Sequence, residues 1–225
     1  MFEGVKFVEA PMAPSVAVLA DAGLEPRRVS RSPLKRLFDV CISLGALLVM
    51  LPSLIPVAML IKLDSRGPVF FLQRRSGLNG KLFNIYKFRS MTVAENGDRV
   101  VQAKADDKRV TRVGKILRRT SLDEVPQLIN ILRGEMSFVG PRPHALAHDT
   151  EFAVTIPSYT RRFQTRPGLT GLAQVRGYRG EIRCREDLEK RIEADIEYID
   201  TWSFTTDVLT VLKTVPLMFG DKRAY

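Results

Sequence analysis

The sequence predicts a mostly α-helical protein with a small β element, and three features support that fold class. The first is an uncharged apolar run from Val40 to Ile61. It is long enough for a membrane helix, because a helix rises about 1.5 Å per residue and the hydrocarbon core is about 30 Å thick. The second is the dipeptide Asn79-Gly80 between two apolar stretches, which is typical of a hairpin turn. The third is an apolar repeat at three- and four-residue steps over residues 185–202, which predicts an amphipathic helix.

The apolar run carries Pro52 and Pro56 near its middle and basic residues at both ends. Each proline removes a helix hydrogen bond and clashes with the carbonyl four residues earlier, so we expect the helix to break there. Basic flanks are retained on the cytoplasmic side, so both ends are expected on the same face. We therefore predict a re-entrant, proline-broken membrane helix. A spanning helix and a buried soluble helix are the alternatives, and a cleaved signal peptide is disfavoured because no small-x-small site follows the run.

Charge and cysteine content limit the partners and the compartment. The chain has a net charge of +10, and its excess of basic residues falls between Arg27 and Arg89, around the apolar run. Such clustering favours anionic lipid head groups or phosphorylated substrates. Nucleic acid is the alternative partner, but the apolar run inside the basic zone favours a membrane. Cys41 and Cys184 have no paired spacing, which indicates a reducing, cytoplasmic setting.

The chain divides into three parts. Residues 1–32 show neither a helical nor a strand period, and we predict a flexible N-terminal arm there. Residues 33–63 hold the basic flank and the re-entrant helix. Residues 64–225 are predicted to form a domain on the cytoplasmic face that ends in amphipathic helices. In that domain we expect strands on either side of Asn79-Gly80 and helices over residues 112–119, 127–132 and 185–202.

The last segment, from Asp207 to Phe219, is apolar on most sides apart from Lys213. That is more apolar surface than a solvated terminal helix needs. An interfacial membrane helix and ordinary core packing both account for it.

Two adjacent carboxylates, Asp123 and Glu124, follow Arg118 by about one helical turn. The spacing Ser121-x-x-Glu124 predicts a capping box at the start of a helix, which is a structural role. The same position suits a divalent cation and a phosphate, since helix N-termini favour anions. A carboxylate can also attack phosphorus to form an acyl phosphate. Alone, an acidic pair is a weak signal, because acidic residues are common in the first turn of helices.

Three further segments contain candidate ligand contacts. Pro141 and Pro143 hold Arg142 in a rigid turn, which suits bidentate phosphate binding; a plain chain reversal is the alternative. Farther on, a Pro-Gly turn precedes Thr170, and the glycine after it lets backbone approach a ligand. A zinc site at His144 and residue 148 is disfavoured, because the Glu between them and a third ligand are missing.

In combination and in order, these motifs resemble the monotopic phosphoglycosyl transferases, the bacterial sugar transferase family. The similar segments are KRLFDV, the apolar run with its prolines, GPVFFLQRRSGLNGKLFNIYKFRSM, SLDEVPQLINILRGEMSFVGPRP and TRPGLTGLAQVRGY. Many members continue after AQV with Gly-Arg-Asn, where this chain has Arg176-Gly177-Tyr178-Arg179. That variant looks like members that act on hexoses such as glucose or galactose, and it leaves the sugar open.

The resemblance implies an enzyme that transfers a hexose 1-phosphate from a UDP-sugar to undecaprenyl phosphate and releases UMP. It implies Mg²⁺ as cofactor and residues 64–225 as the catalytic domain. Asp123 is implied as the nucleophile that forms an aspartyl-phosphosugar, Glu124 as its partner, and both as metal ligands. The implied phosphate and substrate contacts are Lys87, Arg89, Arg118, Pro141, Arg142, Pro143, Thr170 and Arg179.

The implied setting is the cytoplasmic face of the bacterial inner membrane, at the start of exopolysaccharide or other surface-glycan synthesis. The implied partners are the UDP-sugar, undecaprenyl phosphate and membrane lipids, with downstream glycosyltransferases as candidates and no nucleic acid. A non-catalytic, membrane-anchored binder of anionic lipid or nucleic acid is the alternative function.

Overall fold

The structure, a computed structural model, describes residues 25–92 and 107–220, so most of the predicted N-terminal arm lies outside the described residues. The helices are α1 (Arg28–Arg31), α2 (Pro33–Asp64), α3 (Arg112–Arg119), α4 (Gln127–Leu132), α5 (Leu146–Thr155), α6 (Leu172–Val175), α7 (Arg185–Thr201) and α8 (Phe204–Gly220). The strands are β1 (Phe70–Ser76), β2 (Leu82–Phe88), β3 (Ser137–Val139) and β4 (Gly168–Thr170), with 3₁₀ turns at Leu122–Glu124 and Tyr159–Gln164. The prediction of a mostly α protein with a small β element is confirmed.

Helix α2 contains the apolar run and is continuous through Pro52 and Pro56. The expected break in helical structure is therefore not observed. The physical reason is that both prolines are exposed, while α2 packs on the domain through Leu47, Leu54 and Ile61, which lie before, between and after them. These contacts offset the hydrogen bonds that the prolines remove. The re-entrant path stays a prediction.

The opposite face of α2 is exposed apolar surface. Leu48, Val49 and Ile55 have 63%, 81% and 67% of their surface accessible. Among the described helices, α2 alone is long and apolar enough to cross a membrane. Large exposed apolar patches mark contact surfaces for membranes or proteins, which is consistent with membrane association of this helix.

Strands β1 and β2 form the hairpin that Asn79-Gly80 predicts. They pair antiparallel, from Phe70 opposite Phe88 to Ser76 opposite Leu82. Asn79 and Gly80 both have positive φ, 54° and 71°, but the loop has three residues rather than two, since Gly77 N donates to Lys81 O at 2.9 Å. The hairpin prediction is confirmed, and β1 extends farther than the apolar residues alone indicated.

Two apolar clusters support the domain. Phe83 and Ile85 of β2 pack with Leu128 and Ile131 of α4 and with the inner face of α2. A second cluster joins α5, the 3₁₀ turn Tyr159–Gln164 and α7. The helices predicted over residues 112–119, 127–132 and 185–202 are all present, and each buries apolar residues.

Strands β3 and β4 pair in parallel, which brings the turn of residues 141–143 next to the segment of residues 166–171. Gly168 N donates to Pro141 O at 2.8 Å. A Cβ atom on Gly171 would lie 2.2 Å from Gly140 O, so this glycine permits a close approach of main chain to main chain. The sequence-based interpretation that the backbone there approaches a ligand is therefore not supported.

Helix α8 has two different sides. Asp207 and Thr210 are buried, whereas Leu209, Leu212 and Val215 are about half exposed or more. Core packing therefore accounts for one side of the C-terminal segment. The interfacial role of its other side stays a prediction.

Candidate active site

The acidic pair lies where three parts of the chain converge. Asp123 and Glu124 are in the 3₁₀ turn Leu122–Glu124, which follows directly on α3. Strand β2 contributes Lys87, and the turn after β3 contributes Arg142. Arg179 reaches the same place from the loop after α6, where its Nη2 donates to Ser121 Oγ at 2.9 Å.

The predicted capping box is wrong. Ser121 adopts a left-handed conformation with φ of 56°, and its side chain does not cap the following turn. Ser121 Oγ accepts from Arg179 instead, and the Glu124 carboxylate faces cations rather than the Ser121 amide. The reason is energetic, since charge-assisted hydrogen bonds are roughly twice as strong as neutral ones.

Glu124 is surrounded by positive charge. Arg142 Nη2 donates to Oε1 at 2.5 Å and Arg142 Nη1 donates to Oε2 at 3.2 Å, a bidentate pair. Lys87 Nζ donates to Oε1 at 3.0 Å, and Arg179 Nη2 lies 3.9 Å from Oε2. Burial by itself raises the pKa of Glu124, but the charges of Arg142 and Lys87 hold it well below its usual value. Glu124 is therefore a permanent anion that orients these two cations.

Asp123 has different surroundings. Its side chain is buried, and no described residue hydrogen-bonds to it. Burial, and then the negative charge of Glu124, raise the pKa of Asp123 to about 6, while Lys87 and Arg118 act in the opposite direction. The carboxylate is ionised at neutral pH, yet it is more basic than an ordinary aspartate and is not committed to a protein partner.

Arg118 contributes positive charge to the surroundings of Asp123 from α3. Its charge lowers the pKa of Asp123, and its Nη1 atom is buried without a hydrogen-bond partner. An unsatisfied buried donor costs about 1–3 kcal/mol, so this nitrogen suits a ligand with acceptor oxygens. A phosphate provides them.

The structure brings together six of the residues that the resemblance implied: Lys87, Arg118, Asp123, Glu124, Arg142 and Arg179. Pro141 and Pro143 flank Arg142 as expected from the sequence. Two other predicted contacts lie elsewhere, and we reassign both to structure.

Arg89 does not face the acidic pair. Its guanidinium donates to the carbonyls of Ile61, Ser65 and Arg66 at 3.3, 2.6 and 2.9 Å. These carbonyls belong to the C-terminal end of α2, where helices leave acceptors unsatisfied. Arg89 is thus a cap for α2. Thr170 is also buried away from the site, and its Oγ1 lies 2.7 Å from Thr214 Oγ1 of α8.

His144 and His148, for which the sequence disfavours a zinc site, do not lie on one helix. His144 precedes α5, so it does not share a helix face with His148, and its Nδ1 lies 2.7 Å from the hydroxyl of Tyr159. Behind it, Arg162 and Asp195 form a buried ion pair that sequence reasoning missed. A buried arginine has no distinguishing spacing in the sequence, so no local signal indicated it.

Of the two adjacent carboxylates, Asp123 is the one whose surroundings fit a Mg²⁺ ligand. In the part of the chain that the structure describes, no group of three or more His, Cys, Asp or Glu side chains could hold a metal. Both oxygens of Glu124 are engaged by cations, whereas Asp123 is not engaged. Magnesium is usually bound through one or two carboxylates, substrate phosphates and water. Asp123 fits that pattern, and Glu124 fits it less well than the sequence suggested.

Comparisons of the sequence with known proteins identify its relatives. A sequence model of the bacterial sugar transferase family matches residues 30–221. A UDP-glucose:undecaprenyl-phosphate glucose-1-phosphate transferase of Caulobacter vibrioides is 51% identical, over 88% of this chain and 74% of that protein. A transferase of the same name from Escherichia coli is 50% identical over 85% of this chain, which spans 41% of that longer protein. An exopolysaccharide production protein of Rhizobium leguminosarum is 48% identical, with 81% of this chain and 93% of that protein covered.

Proposed function

This chain belongs to the bacterial sugar transferase family, and from that premise we propose that it transfers a hexose 1-phosphate from a UDP-sugar to undecaprenyl phosphate, releasing UMP. The observation that carries the proposal is a buried, uncommitted carboxylate, Asp123, beside an arginine with an unsatisfied buried donor, Arg118. Relatives named for UDP-glucose make that nucleotide sugar the first donor to test. The product would initiate exopolysaccharide or another surface glycan.

The proposed reaction consists of two displacements at phosphorus. A carboxylate oxygen of Asp123 attacks the phosphorus that carries the sugar, the bond from that phosphorus to the bridging oxygen breaks, and UMP leaves with the electron pair. An oxygen of undecaprenyl phosphate then attacks the same phosphorus, and Asp123 leaves as a carboxylate. The covalent aspartyl-phosphosugar divides the transfer into two steps and needs no external proton donor.

The cations around the pair have separate tasks in this scheme. Phosphoryl transfer is accelerated almost entirely by positioning and charge stabilisation. Arg118 offers its free Nη1 to the diphosphate, while Arg142 and Lys87 are held in place by Glu124. The elevated pKa of Asp123, caused mainly by burial, makes its carboxylate a better nucleophile than a solvated aspartate. When bound, Mg²⁺ at Asp123 would neutralise diphosphate charge.

The exposed apolar face of α2 supports a lipid-linked acceptor. A polyprenyl chain stays in lipid while its phosphate reaches water-soluble donor, so the site has to lie at the membrane interface. We place the domain on the cytoplasmic face of the bacterial inner membrane, with a re-entrant α2 and bound membrane lipids. The alternative, a non-catalytic binder of anionic lipid or nucleic acid, is not favoured because the relatives are named as transferases.

The covalent step can be tested directly. With UDP-glucose labelled in the sugar, and with Mg²⁺ but no lipid acceptor, the wild-type protein should acquire label and release UMP. Asp123→Asn should do neither, because an amide is a far poorer nucleophile of the same size. Chelation of Mg²⁺ should suppress labelling.

Two controls make this experiment decisive. Asp200→Asn, at an exposed carboxylate that pairs with Arg161, should label like the wild type. Glu124→Gln should label slowly, because it loosens Arg142 and Lys87 but leaves the nucleophile. Label that persists in Asp123→Asn would place the nucleophile elsewhere. Turnover without any labelled protein would indicate direct attack by the lipid phosphate.

A further inference from the structure

Behind the turn of residues 141–143 lies a buried charged group that the proposed reaction does not use. Arg162, in the 3₁₀ turn Tyr159–Gln164, and Asp195, in α7, have only 4% and 2% of their surface accessible. Arg162 Nε donates to Asp195 Oδ2 at 2.9 Å. Burying two charges is expensive, and a well-packed apolar pair of similar volume is often as stable. Stability alone is therefore a weak explanation for this pair.

The guanidinium of Arg162 is held on three sides. Besides the bond from Nε to Asp195, Nη1 donates to the Tyr159 hydroxyl at 2.9 Å and lies 3.2 Å from His144 Nδ1. Its remaining nitrogen, Nη2, donates to the main-chain carbonyl of Arg142 at 2.5 Å. One planar group thus connects α7 to the backbone of the residue that grips Glu124.

The turn of residues 141–143 depends on hydrogen-bond donors from other parts of the chain, because two of its three residues are prolines. Pro141 and Pro143 have no N–H groups, which leaves Arg142 N–H as the backbone donor of the turn. Its three carbonyls accept hydrogen bonds from outside the turn: Gly168 N donates to Pro141 O, Arg162 to Arg142 O, and Arg75 Nη1 to Pro143 O at 3.3 Å. Both arginine bonds are charge-assisted, and the bond from Arg162 is the shortest of the three.

We propose that Arg162, fixed by Asp195, is a positioning residue that sets the direction of the Arg142 side chain. By holding the Arg142 carbonyl, it orients the peptide from which the guanidinium extends toward Glu124 and toward the donor diphosphate. A misplacement of about 1 Å can lower a rate about a hundredfold, so a distant bond of this kind is catalytically significant. The proposal deepens the proposed function and, for its kinetic test, rests on it.

A double-mutant cycle separates positioning from general stability. Arg162→Lys keeps a charge beside Asp195 but loses the planar fork whose three nitrogens reach Asp195, Tyr159 and the Arg142 carbonyl in separate directions. With UDP-glucose and undecaprenyl phosphate as substrates, we expect kcat/KM of this variant to fall at least about tenfold. The loss should be divided between kcat and KM in the same proportion as the loss in Arg142→Lys. In the Arg142→Lys background, the second change should lower kcat/KM by less than about threefold, because the side chain that it positions is already lost. Equal losses in both backgrounds would overturn the proposal.

Arg161 offers a matched control. It is the neighbour of Arg162 and also pairs with an aspartate of α7, Asp200, but both partners are exposed. Arg161→Lys should leave kcat/KM unchanged. Should Arg162→Lys fail to fold, Asp195→Asn takes its place in the cycle, since it releases Arg162 Nε and retains the side-chain volume.

Hydrogen exchange tests the positioning without turnover. In peptides that cover residues 140–146, Arg162→Lys should exchange faster than the wild type and Arg161→Lys, while peptides from β1 and β2 should not change. Unchanged exchange in the turn would overturn the proposal. Absence of UMP release by the wild-type protein would refute the proposed function, and exchange alone would then decide the role of Arg162.

Discussion

Asp123 and Glu124 are neighbours in the chain, but their surroundings shift their pKa values in opposite directions. The positive charges of Arg142 and Lys87 balance the negative charge of Glu124. Its pKa lies well below the usual range because those charges outweigh burial. Asp123 has no such partner, and burial raises its pKa to about 6. Two carboxylates with opposite shifts are the pattern expected when one is structural and the other reacts.

At Arg142, replacement by lysine tests the bidentate geometry. Arg142→Lys keeps the charge but loses the planar fork that meets both oxygens of Glu124. We expect kcat/KM to fall about 10- to 100-fold, since hydrogen bonds to charged groups contribute about 1.5–3 kcal/mol. Arg176→Lys is the matched control, because Arg176 makes the same bidentate contact with Glu197 on the surface. Equal activity of both variants would make the Arg142 turn purely structural.

At Arg89, the expected effect is on stability. Arg89→Met removes the donors to three carbonyls at the end of α2, and we expect the free energy of unfolding to fall by about 1.5–3 kcal/mol. Chemical denaturation in detergent measures this loss. Lys81→Met, an exposed change in the same hairpin, should have almost no effect. A variant of normal stability with a raised KM would return Arg89 to the substrate contacts.

At the scale of elements, α2 shows how packing overrides a local rule. Proline disfavours the helix interior, yet α2 continues through Pro52 and Pro56 because its inner face contacts the domain on both sides of them. The hairpin β1–β2 shows the opposite case, where local and tertiary preferences agree. Asn79 and Gly80 adopt the positive φ values that their residue types favour.

The path of α2 through the membrane can be measured by labelling. Single variants Arg31→Cys and Arg66→Cys place thiols on exposed positions before and after the apolar run, and both should react only from the cytoplasmic side. Replacing Pro52 and Pro56 together by Ala should shift the helix toward spanning, because the helix loses its weakest points. Pro33→Ala is the control, since proline at the start of a helix has no such effect. Labelling of either thiol from the periplasm in the otherwise native protein would establish a spanning helix.

At the scale of the whole molecule, one buried ion pair joins the two ends of the described chain. Lys35 Nζ of α2 donates to Asp207 Oδ2 of α8 at 2.8 Å and to Val139 O of β3 at 3.0 Å. Tyr198 of α7 donates to the other oxygen of Asp207 at 2.7 Å. Helix α2, the C-terminal helices and the strand that leads into the Arg142 turn therefore meet at a single carboxylate.

Neutralising the Asp207 carboxylate should lower the stability of the whole fold. Asp207→Asn removes the carboxylate that the buried Lys35 bonds and leaves Asp39 as the neighbouring negative charge. Breaking a buried pair costs about 3–5 kcal/mol. We expect a correspondingly lower unfolding temperature in detergent. Asp200→Asn, which breaks exposed pairs only, should cost less than about 1 kcal/mol. Similar losses for the two variants would show that the buried pair is not what joins these helices.

The sequence by itself determined the features that depend on neighbouring residues. Helical and strand periods, the Asn79-Gly80 turn and the proline-flanked Arg142 are local, so their residue types were sufficient to predict them. The motifs also indicated which side chains to examine for chemistry, and the apolar run predicted the helix that is exposed in the structure.

Only the tertiary structure decided which of these side chains meet. Ser121 and Glu124 have capping-box spacing, but Arg142 and Arg179, distant in sequence, take both side chains away from it. Arg89 caps α2 and Arg162 donates to the Arg142 carbonyl because the fold brings together residues that are distant in the sequence. The charge of a buried group is satisfied by whatever the fold brings within about 3 Å of it, and no local pattern carries that information.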